Sequence, residues 1–227
     1  MNEKHQRLLE TIKSEAKFTA SYTGRDEFNP AVMDAMAEVI RENFVPSQYL
    51  SLAYSNGPLP IGFGQTISQP YIVALMTDLL DLTVDSTVLE VGTGSGYQAA
   101  VLSRLAKQVY SIERVKELAE SSGERLKKLG YDNIEIRNRD GYTGWQEKAP
   151  FDGIIVTAAA DHIPPALIEQ LKIGGRMLIP VGLPQKHQEL MLVTKNNKGV
   201  VDIESLLDVA FVPLITDEDA VHEDIIR

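Results

Sequence analysis

The sequence contains no cysteine among its 227 residues, so neither a disulfide framework nor a thiolate metal site is possible. Positive charge is also scarce: 22 lysines and arginines against 32 acidic residues give a formal net charge of −10. A protein that binds a nucleic acid duplex ordinarily presents a basic patch, and this balance disfavours nucleic acid as a partner. The lack of thiols is compatible with a reducing cytoplasm, where we expect the protein to act.

Long apolar stretches are absent as well. No apolar run reaches the length of a membrane span, and the N-terminus, Met1 to Arg7, is too polar for a signal peptide. We therefore expect no membrane partner. The apolar content of 44% is that of an ordinary globular protein, and the length suffices for one large α/β domain.

The most informative stretch runs from Val88 to Tyr97 and reads Val-Leu-Glu-Val-Gly-Thr-Gly-Ser-Gly-Tyr. A short apolar run, Thr87 to Val91, ends at glycines spaced two apart, and a helix-like run follows from Tyr97 to Ala106. A strand, a glycine-rich turn and a helix form the first unit of nucleotide-binding α/β folds. The start of such a helix offers unpaired N–H groups to a ligand.

Three details of this region indicate which ligand it binds. The dinucleotide fingerprint G-x-G-x-x-G would need a glycine where Tyr97 stands. Glu113 ends the next apolar run, where a carboxylate can accept hydrogen bonds from both ribose hydroxyls. Glu90 would repel a pyrophosphate but would suit a cationic ligand without phosphate. S-adenosylmethionine therefore fits better than NAD, and the stretch resembles the seven-strand methyltransferases that use it. A glycine turn without a ligand is the alternative.

The chain before this stretch divides into two helices and a loop. Residues 3–17 have an amphipathic pattern, and Asn29-Pro30 is a good start for a second helix that stops before Pro46. We predict that both helices form a structural extension packed on the main domain. Residues 53–70 hold so many glycines and prolines that they predict a loop without regular structure, and long loops in compact domains are usually functional.

The end of that loop brings a serine to the start of a helix. Pro70 fits the first turn of a helix that runs to Leu80. Ile67, Ser68 and Gln69 would then present N–H groups and a hydroxyl at a helix N-terminus, which is a ready anion site. Ser68 could instead cap the helix, and the local sequence alone favours this simpler role.

The rest of the chain alternates between strands and helices, which indicates a mostly parallel sheet with helices on both faces. The segments 188–194 and 200–207 predict an antiparallel C-terminal hairpin, while Gly174-Gly175 predicts a turn into a strand at 176–181. We therefore predict a doubly wound, seven-stranded, Rossmann-like α/β fold in a single domain. Its predicted parts are a helical extension (1–58), a catalytic core (59–215) and an acidic C-terminal helix (216–227).

Ligands of such sheets bind outside the carboxyl ends of the strands. The turn from Glu90 to Gly96, Glu113, Asp140-Gly141 and the segment 157–160 each follow a predicted strand. Several strand ends that converge on one crevice indicate a binding site more strongly than any single motif. Taken alone, Asp140 could equally be a loop cap.

Several stretches resemble the protein-L-isoaspartate O-methyltransferases, particularly bacterial ones, over about residues 30–215. The most specific is Gly-Gln-Thr-Ile-Ser-Gln-Pro at 64–70, which seven-strand methyltransferases generally do not share. The resemblance implies methyl transfer from S-adenosylmethionine, with S-adenosylhomocysteine as product, to the free carboxylate of L-isoaspartyl residues in damaged proteins and peptides. The ester then collapses to a succinimide. The other matching stretches are 59–63, 71–73, 88–97, 140–142, 150–160, 171–182 and 211–214.

The same resemblance implies residue roles. Ser68 matches the family's active-site serine, catalytic and substrate-binding, while Ala159 and Val212 lie where the family's backbone meets the isoaspartyl peptide. It also implies protein and peptide substrates, and we expect a monomer that needs no metal and binds neither nucleic acid nor membrane. Arg139 departs from the family, which usually has glycine there. The implied cofactor contacts are Gln65, Thr66, Ile67, Glu90, Gly92, Gly94, Glu113, Asp140 and Gly141.

This chemistry needs no general base, because an isoaspartyl carboxylate with a pKa of about 4 is ionised at pH 7. The chain's histidines are scattered along the sequence, and we predict that none is catalytic: His5, His162, His187 and His222. The enzymatic alternatives are a methyltransferase for another acceptor, such as RNA or a small acid, and an NAD-dependent dehydrogenase. A catalytically inactive S-adenosylmethionine-binding protein is the non-enzymatic alternative.

Overall fold

A seven-stranded sheet forms the centre of the protein. The structure, a computed structural model, describes residues 2–183 and 186–215. In chain order the strands are β1 (Leu59–Gly62), β2 (Gln65–Ile67), β3 (Thr87–Val91), β4 (Gln108–Glu113), β5 (Ile134–Asn138), β6 (Phe151–Val156), β7 (Leu171–Gly182), β8 (Gln188–Lys195) and β9 (Val201–Asp208). The α-helices are α1 (Glu3–Thr23), α2 (Pro30–Glu38), α3 (Pro70–Leu79), α4 (Tyr97–Ser103), α5 (Lys116–Lys128) and α6 (Pro165–Gln170).

The strand order in the sheet is β5-β4-β3-β6-β7-β8-β9. The strands from β5 to β7 pair in parallel, whereas β8 and β9 are antiparallel to their neighbours. The chain fills one half of the sheet with β3, β4 and β5 and then crosses to β6 on the other side of β3. Such a change of direction opens a ligand crevice at the carboxyl ends of the strands. The predicted fold class, with its antiparallel C-terminal hairpin, is confirmed.

Burial explains why β3 and β6 are central strands. Val88, Leu89 and Ile154 are all 0% exposed, because strands covered by helices on both faces need apolar side chains on both sides. Every residue of α3 is buried too. This helix contacts β7 of the sheet and also the N-terminal helices α1 and α2, so the predicted helical extension packs over α3. None of the helices within the described residues is long and apolar enough to cross a membrane.

The prediction of a loop without regular structure at residues 53–70 is wrong in part, because β1 and β2 form a hairpin there. Leu59 pairs with Ile67 across the hairpin. The chain reverses at Gly62, Phe63 and Gly64, whose φ angles are 95°, 53° and 68°. Glycine adopts positive φ at little cost, so the glycines that argued against regular structure are what allow the tight reversal.

The N-terminal helices end at other residues than predicted. Helix α1 continues to Thr23 instead of residue 17 and ends at Gly24, which has the left-handed conformation of a helix C-cap. Helix α2 is shorter than the prediction and ends at Glu38, and 3-10 turns at 41–44 and 47–52 fill much of the interval that follows.

Strand β7 begins earlier than predicted. It starts at Leu171, so Gly174 and Gly175 lie inside the strand and not before it. The pairing with β6 shifts register at this point, which accommodates the two glycines within the ladder. The acidic helix predicted for 216–227 lies outside the described residues.

Candidate active site

The glycine-rich turn between β3 and α4 requires its glycines. Gly92, Gly94 and Gly96 have φ angles of 100°, 51° and 84°, a region that other residues rarely adopt. Space is limited as well, since a Cβ at Gly92 would lie 2.4 Å from Oγ1 of Thr157. That hydroxyl donates a hydrogen bond of 2.6 Å to the Gly92 carbonyl. The turn and the loop after β6 are thereby held together.

Glu113, at the end of β4, is fixed beside this turn by backbone hydrogen bonds. Its Oε2 accepts from the Gly94 N–H and its Oε1 from the Val115 N–H, each at 2.8 Å. Burial raises the pKa of Glu113, although these hydrogen bonds oppose the shift. Each carboxylate oxygen has a second lone pair, so Glu113 can still accept hydrogen bonds from ribose hydroxyls as predicted.

Glu90 lies beneath the turn and is 0% exposed. The Ser111 hydroxyl bonds to Oε2 of Glu90, while Oε1 has no partner among the described residues. Burial raises the pKa of Glu90 to about 8, against the opposing hydrogen bond from Ser111. The carboxyl is therefore largely protonated at neutral pH, and a nearby cation would favour its ionised form. Only that ionised form carries the negative charge that, in the sequence analysis, suits a cationic ligand.

Gly92, Gly94 and Glu113 border the first cleft, at the carboxyl ends of β3 and β4. Gly141 lines the cleft where no side chain would fit, because a Cβ there would lie 2.4 Å from Cγ1 of Val91 and 3.2 Å from Cδ1 of Leu214. Of the predicted site residues, the cleft is lined by Gln65, Thr66, Gly92, Gly94, Glu113, Gly141 and Val212, but not by Ile67, Glu90 or Asp140.

Asp140 caps the 3-10 turn that follows it. Its Oδ1 accepts a hydrogen bond of 2.8 Å from the Tyr142 N–H, so Asp140 caps this loop with one of its two carboxylate oxygens. The capped turn in turn places Gly141 in the cleft wall. Arg139, the departure from the family pattern, extends away and pairs with Glu147 at 3.3 Å, so its side chain does not alter the cap.

A second cleft of about 560 Å³ lies on the other side of β2, and Ser68 lines it. Thr66 lines both clefts. The end of β9 and the segment after it also border the two clefts in succession, with residues 207–211 in the second cleft and residues 212–215 in the first. A ligand in one cleft is therefore adjacent to a ligand in the other. The other residues of the second cleft are Glu15, Phe18, Thr19, Pro58, Gln69, Tyr71 and Ile72.

Ser68 does not cap α3, so that alternative is wrong. The N-cap residue is Gln69, and no side chain donates or accepts a capping hydrogen bond there. The half-buried Ser68 hydroxyl has no hydrogen-bond partner among the described residues, whereas the Ser68 carbonyl accepts a bond of 3.1 Å from Nη2 of Arg41. The backbone is thus held while the hydroxyl stays available to a ligand.

Ala159 and Val212, distant in sequence, meet in the structure. The Ala159 N–H donates to the Val212 carbonyl, and the Leu214 N–H donates to the Ala159 carbonyl, both at 2.8 Å. Ala159 is buried and both its backbone groups are used, which leaves only its methyl group for a substrate. The Val212 N–H bonds to none of the described residues and can still be offered to a ligand.

Comparison with known proteins identifies the family. The model of the family described as protein-L-isoaspartate(D-aspartate) O-methyltransferase (PCMT) matches residues 16–219. The chain belongs to this family. The resemblance to this family that the sequence analysis predicted is therefore confirmed, and the alternative of an NAD-dependent dehydrogenase is excluded.

Curated relatives carry the PCMT activity in their names. The protein-L-isoaspartate O-methyltransferase 2 of Syntrophobacter fumaroxidans is 58% identical over 208 residues, 92% of this chain and 84% of the relative. The enzyme of the same name from Nitrosococcus oceani is 55% identical over 210 residues, 92% of this chain and 95% of the relative.

Solved structures of PCMT proteins have the same fold. A protein-L-isoaspartate O-methyltransferase superposes with a TM-score of 0.82 at 28% identity, covering 97% of this chain and 68% of the other. A PCMT of Plasmodium falciparum, in complex with S-adenosyl-L-homocysteine, gives 0.77 at 27% identity, covering 94% and 99%.

The described histidines line neither cleft. His5 is buried, with Nε2 3.0 Å from the Met36 carbonyl oxygen, and His162 lies 2.6 Å from Asp161. His187, just before β8, Glu189 of β8 and Asp208 at the end of β9 offer ligand atoms within 4.8 Å of one another, and of these three Asp208 also lines the second cleft. His222 lies outside the described residues.

Two residues that shape the site were not predicted from the sequence. Thr157 follows β6, in a segment that was predicted to face the crevice, but nothing in the sequence indicates its bond to Gly92. Arg41 was not predicted, because its partners are backbone carbonyls, which any residue can supply. The buried, unpartnered Oε1 of Glu90 likewise appears only in three dimensions.

Proposed function

We propose that the protein methylates the free carboxylate of L-isoaspartyl residues in damaged proteins and peptides, with S-adenosylmethionine as donor and Ser68 as the residue that orients the acceptor. The main support is that two clefts meet at β2, where Thr66 lines both and Ser68 lines the second. One cleft can hold a donor and the other an acceptor in contact with it. The ester formed then collapses to a succinimide, which begins repair.

The residues of the first cleft suit S-adenosylmethionine. Glu113 would accept the ribose hydroxyls, and Gly92 and Gly94 allow the backbone to approach the ligand. The unpartnered buried Oε1 of Glu90 is a potential acceptor beneath the turn for a cationic group. When bound, the cofactor supplies a methyl group activated by a sulfonium. The remaining contacts that we propose are Gln65, Thr66, Ile67, Asp140 and Gly141.

In the second cleft the Ser68 hydroxyl would donate a hydrogen bond to one oxygen of the acceptor carboxylate and leave the other oxygen to attack. A neutral hydroxyl suits this task, because a cationic side chain would hold the carboxylate tightly and weaken it as a nucleophile. Attack on a sulfonium neutralises charge, so a water-poor cleft favours the reaction. Alignment of the carboxylate oxygen with the methyl group is the larger contribution. Ala159 and Val212 would hold the acceptor peptide beside Ser68.

We also propose that one copy of the chain suffices and that nucleic acid is not an acceptor. Ser68, the proposed acceptor residue, and Glu113, the proposed donor residue, line clefts that share Thr66 within one chain. The net charge of −10 disfavours a polyanionic acceptor. Light scattering during turnover would test the first statement, and an RNA acceptor in the same assay would test the second.

The decisive experiment compares two synthetic peptides that differ only in one isoaspartyl or aspartyl linkage, with labelled S-adenosylmethionine as donor. We expect label in the isoaspartyl peptide alone, as a base-labile ester. Label in neither peptide, with cofactor binding demonstrated by calorimetry, would overturn the assigned acceptor and indicate a methyltransferase with another substrate.

A further inference from the structure

Arg41 is 0% exposed, and its guanidinium donates only to backbone carbonyls. Among the described residues no carboxylate forms an ion pair with it. Three of its acceptors lie in the segment before β1, and the fourth belongs to Ser68. Its Nη1 donates to Ala53 (2.7 Å) and Ser55 (3.3 Å), and its Nη2 to Gly57 (3.0 Å) and Ser68 (3.1 Å).

Burial of the Arg41 cation costs free energy of solvation, and the lowered pKa of the side chain reflects this cost. Burial lowers the pKa of Arg41 to about 10, so the side chain stays charged at neutral pH without a counter-ion. Its Nε has no partner among the described residues. An apolar side chain of similar volume would fill the space at lower cost. An apolar residue could not donate hydrogen bonds, whereas the planar guanidinium of an arginine can donate to several carbonyls at once.

Arg41 also contacts the helix that follows the glycine turn. Its guanidinium lies 5.8 Å from the centre of the Tyr97 ring, and Tyr97 is the first residue of α4. Phe44, three residues along the same segment, packs edge-on against that ring at 5.6 Å. One buried side chain thus connects the backbone of Ser68 with the element that carries the cofactor turn.

We propose that Arg41 is a positioning residue for methyl transfer, acting through the Ser68 carbonyl. By holding that carbonyl, Arg41 sets where the Ser68 hydroxyl stands relative to the glycine turn and so relative to the methyl donor. The inference rests on the proposed function, because it needs Ser68 to orient the acceptor. Small displacements of such a group are expensive, since a shift of about 1 Å can lower a rate about a hundredfold.

A double-mutant cycle of Arg41→Lys and Ser68→Ala tests this role. Lysine keeps the charge but cannot span the carbonyls. We expect Arg41→Lys to lower kcat about tenfold to a hundredfold, with cofactor affinity by calorimetry changed less than about threefold. In the Ser68→Ala background the same substitution should change kcat less than about threefold, because residues that act as one unit are not additive.

Arg25→Lys is the matched control. Arg25 also anchors an N-terminal segment, through a 2.7 Å bond to Asp78 of α3, but it contacts neither cleft. We expect Arg25→Lys to lower thermal stability and leave kcat within about twofold. Its effect should be the same with and without Ser68.

If the double variant loses kcat by the product of the losses in Arg41→Lys and Ser68→Ala, the two residues act independently and the proposal is overturned. A loss of cofactor affinity in Arg41→Lys as large as its loss of kcat would overturn it as well. If Arg41→Lys does not fold, Arg41→Gln takes its place, since its neutral amide can still donate to a carbonyl. If neither variant has the circular dichroism spectrum of the wild type, Arg41 is a folding residue and the proposal fails. A wild type inactive on every isoaspartyl peptide would instead reject the proposed function itself.

Discussion

Ser68 illustrates how backbone and side chain of one residue can have separate tasks. Its carbonyl is held by Arg41 at 3.1 Å, while its hydroxyl bonds to no described residue and lines the second cleft. A serine at a helix start usually spends its hydroxyl on the cap. Here Gln69 is the N-cap residue, so the hydroxyl of Ser68 is left for an acceptor.

Ser68→Ala should therefore lower kcat for an isoaspartyl peptide by about tenfold to a hundredfold, which corresponds to the loss of one hydrogen bond to a charged group. Cofactor affinity by calorimetry should change less than about twofold. Ser55→Ala is the control, since the Ser55 hydroxyl bonds to the Leu52 carbonyl and lines neither cleft. Equal losses of turnover and of cofactor affinity in Ser68→Ala would contradict the orienting role.

Glu90, beneath the cofactor turn, makes the stability of the protein depend on pH. In the folded protein its pKa is about 8, against an ordinary value of 4.5, because burial penalises the charged form. The folded state therefore keeps a proton that the unfolded chain loses. This contribution to stability is complete below the ordinary pKa and is lost as the pH rises through the folded value.

Glu90→Gln, which is neutral at every pH, should consequently be more stable than the wild type at pH 8, by about 4 kcal/mol, and within about 1 kcal/mol of it at pH 5. Urea unfolding of the cofactor-free proteins across this range would measure the difference. We also expect Glu90→Gln to bind S-adenosylmethionine more weakly, because it cannot supply an anion. A gain in stability that is the same at pH 5 and pH 8 would refute the protonation argument.

The glycine-rich turn connects β3 to α4 and is bonded to the loop after β6. Gly92 meets two separate requirements there, a φ of 100° and a Cβ position only 2.4 Å from Thr157 Oγ1. Gly130, after α5, meets only the first, with a φ of 79° and nothing within 4 Å of its Cβ position. A comparison of substitutions at Gly92 and Gly130 therefore distinguishes the effect of backbone strain from the effect of a steric clash.

Gly92→Ala and Gly130→Ala should both lose about 1–2 kcal/mol of stability from the left-handed backbone. Only Gly92→Ala should also lose cofactor affinity, by at least about tenfold, because its methyl group displaces Thr157 and with it the turn. Thermal unfolding and calorimetry measure the two effects. Normal S-adenosylmethionine affinity in Gly92→Ala would show that the cofactor does not bind against this turn.

The whole molecule is arranged around the boundary between two clefts. The N-terminal helices cover α3, α3 begins just after Ser68, and residues 207–215 border both clefts in turn. Residues 212–215 line the first cleft together with Gly92 and Gly94 of the glycine turn. Ligand binding should accordingly order this boundary and stabilise the protein as a unit.

S-adenosylhomocysteine at about 100 times its Kd should raise the free energy of unfolding by about 2.7 kcal/mol. For a domain of this size that corresponds to a rise in Tm of several degrees, measurable by scanning calorimetry. NAD at the same concentration should leave Tm unchanged, since the glycine spacing does not match a pyrophosphate site. A comparable rise with NAD would contradict the cofactor assignment.

Much of this protein could be predicted from local patterns. Apolar runs that end in glycines or acidic residues predicted the parallel strands, and the spacing of Gly92, Gly94 and Gly96 together with Glu90 predicted a cofactor other than a dinucleotide. Burial on both faces of a parallel sheet forces continuous apolar runs, so such strands are visible in the sequence. The stretch at 64–70 predicted the family, which the comparisons confirm.

Other features exist only after folding, because they depend on contacts between segments far apart in sequence. The protonation of Glu90 follows from its complete burial, which outweighs the hydrogen bond from Ser111, and the hydroxyl of Ser68 stays unbonded within the described residues because the N-cap position of α3 is Gln69. The carbonyl clamp of Arg41 has no sequence signature, since any residue can supply a backbone carbonyl. Tertiary packing determines which polar groups are desolvated and which remain available to a ligand, and local sequence patterns do not contain this information.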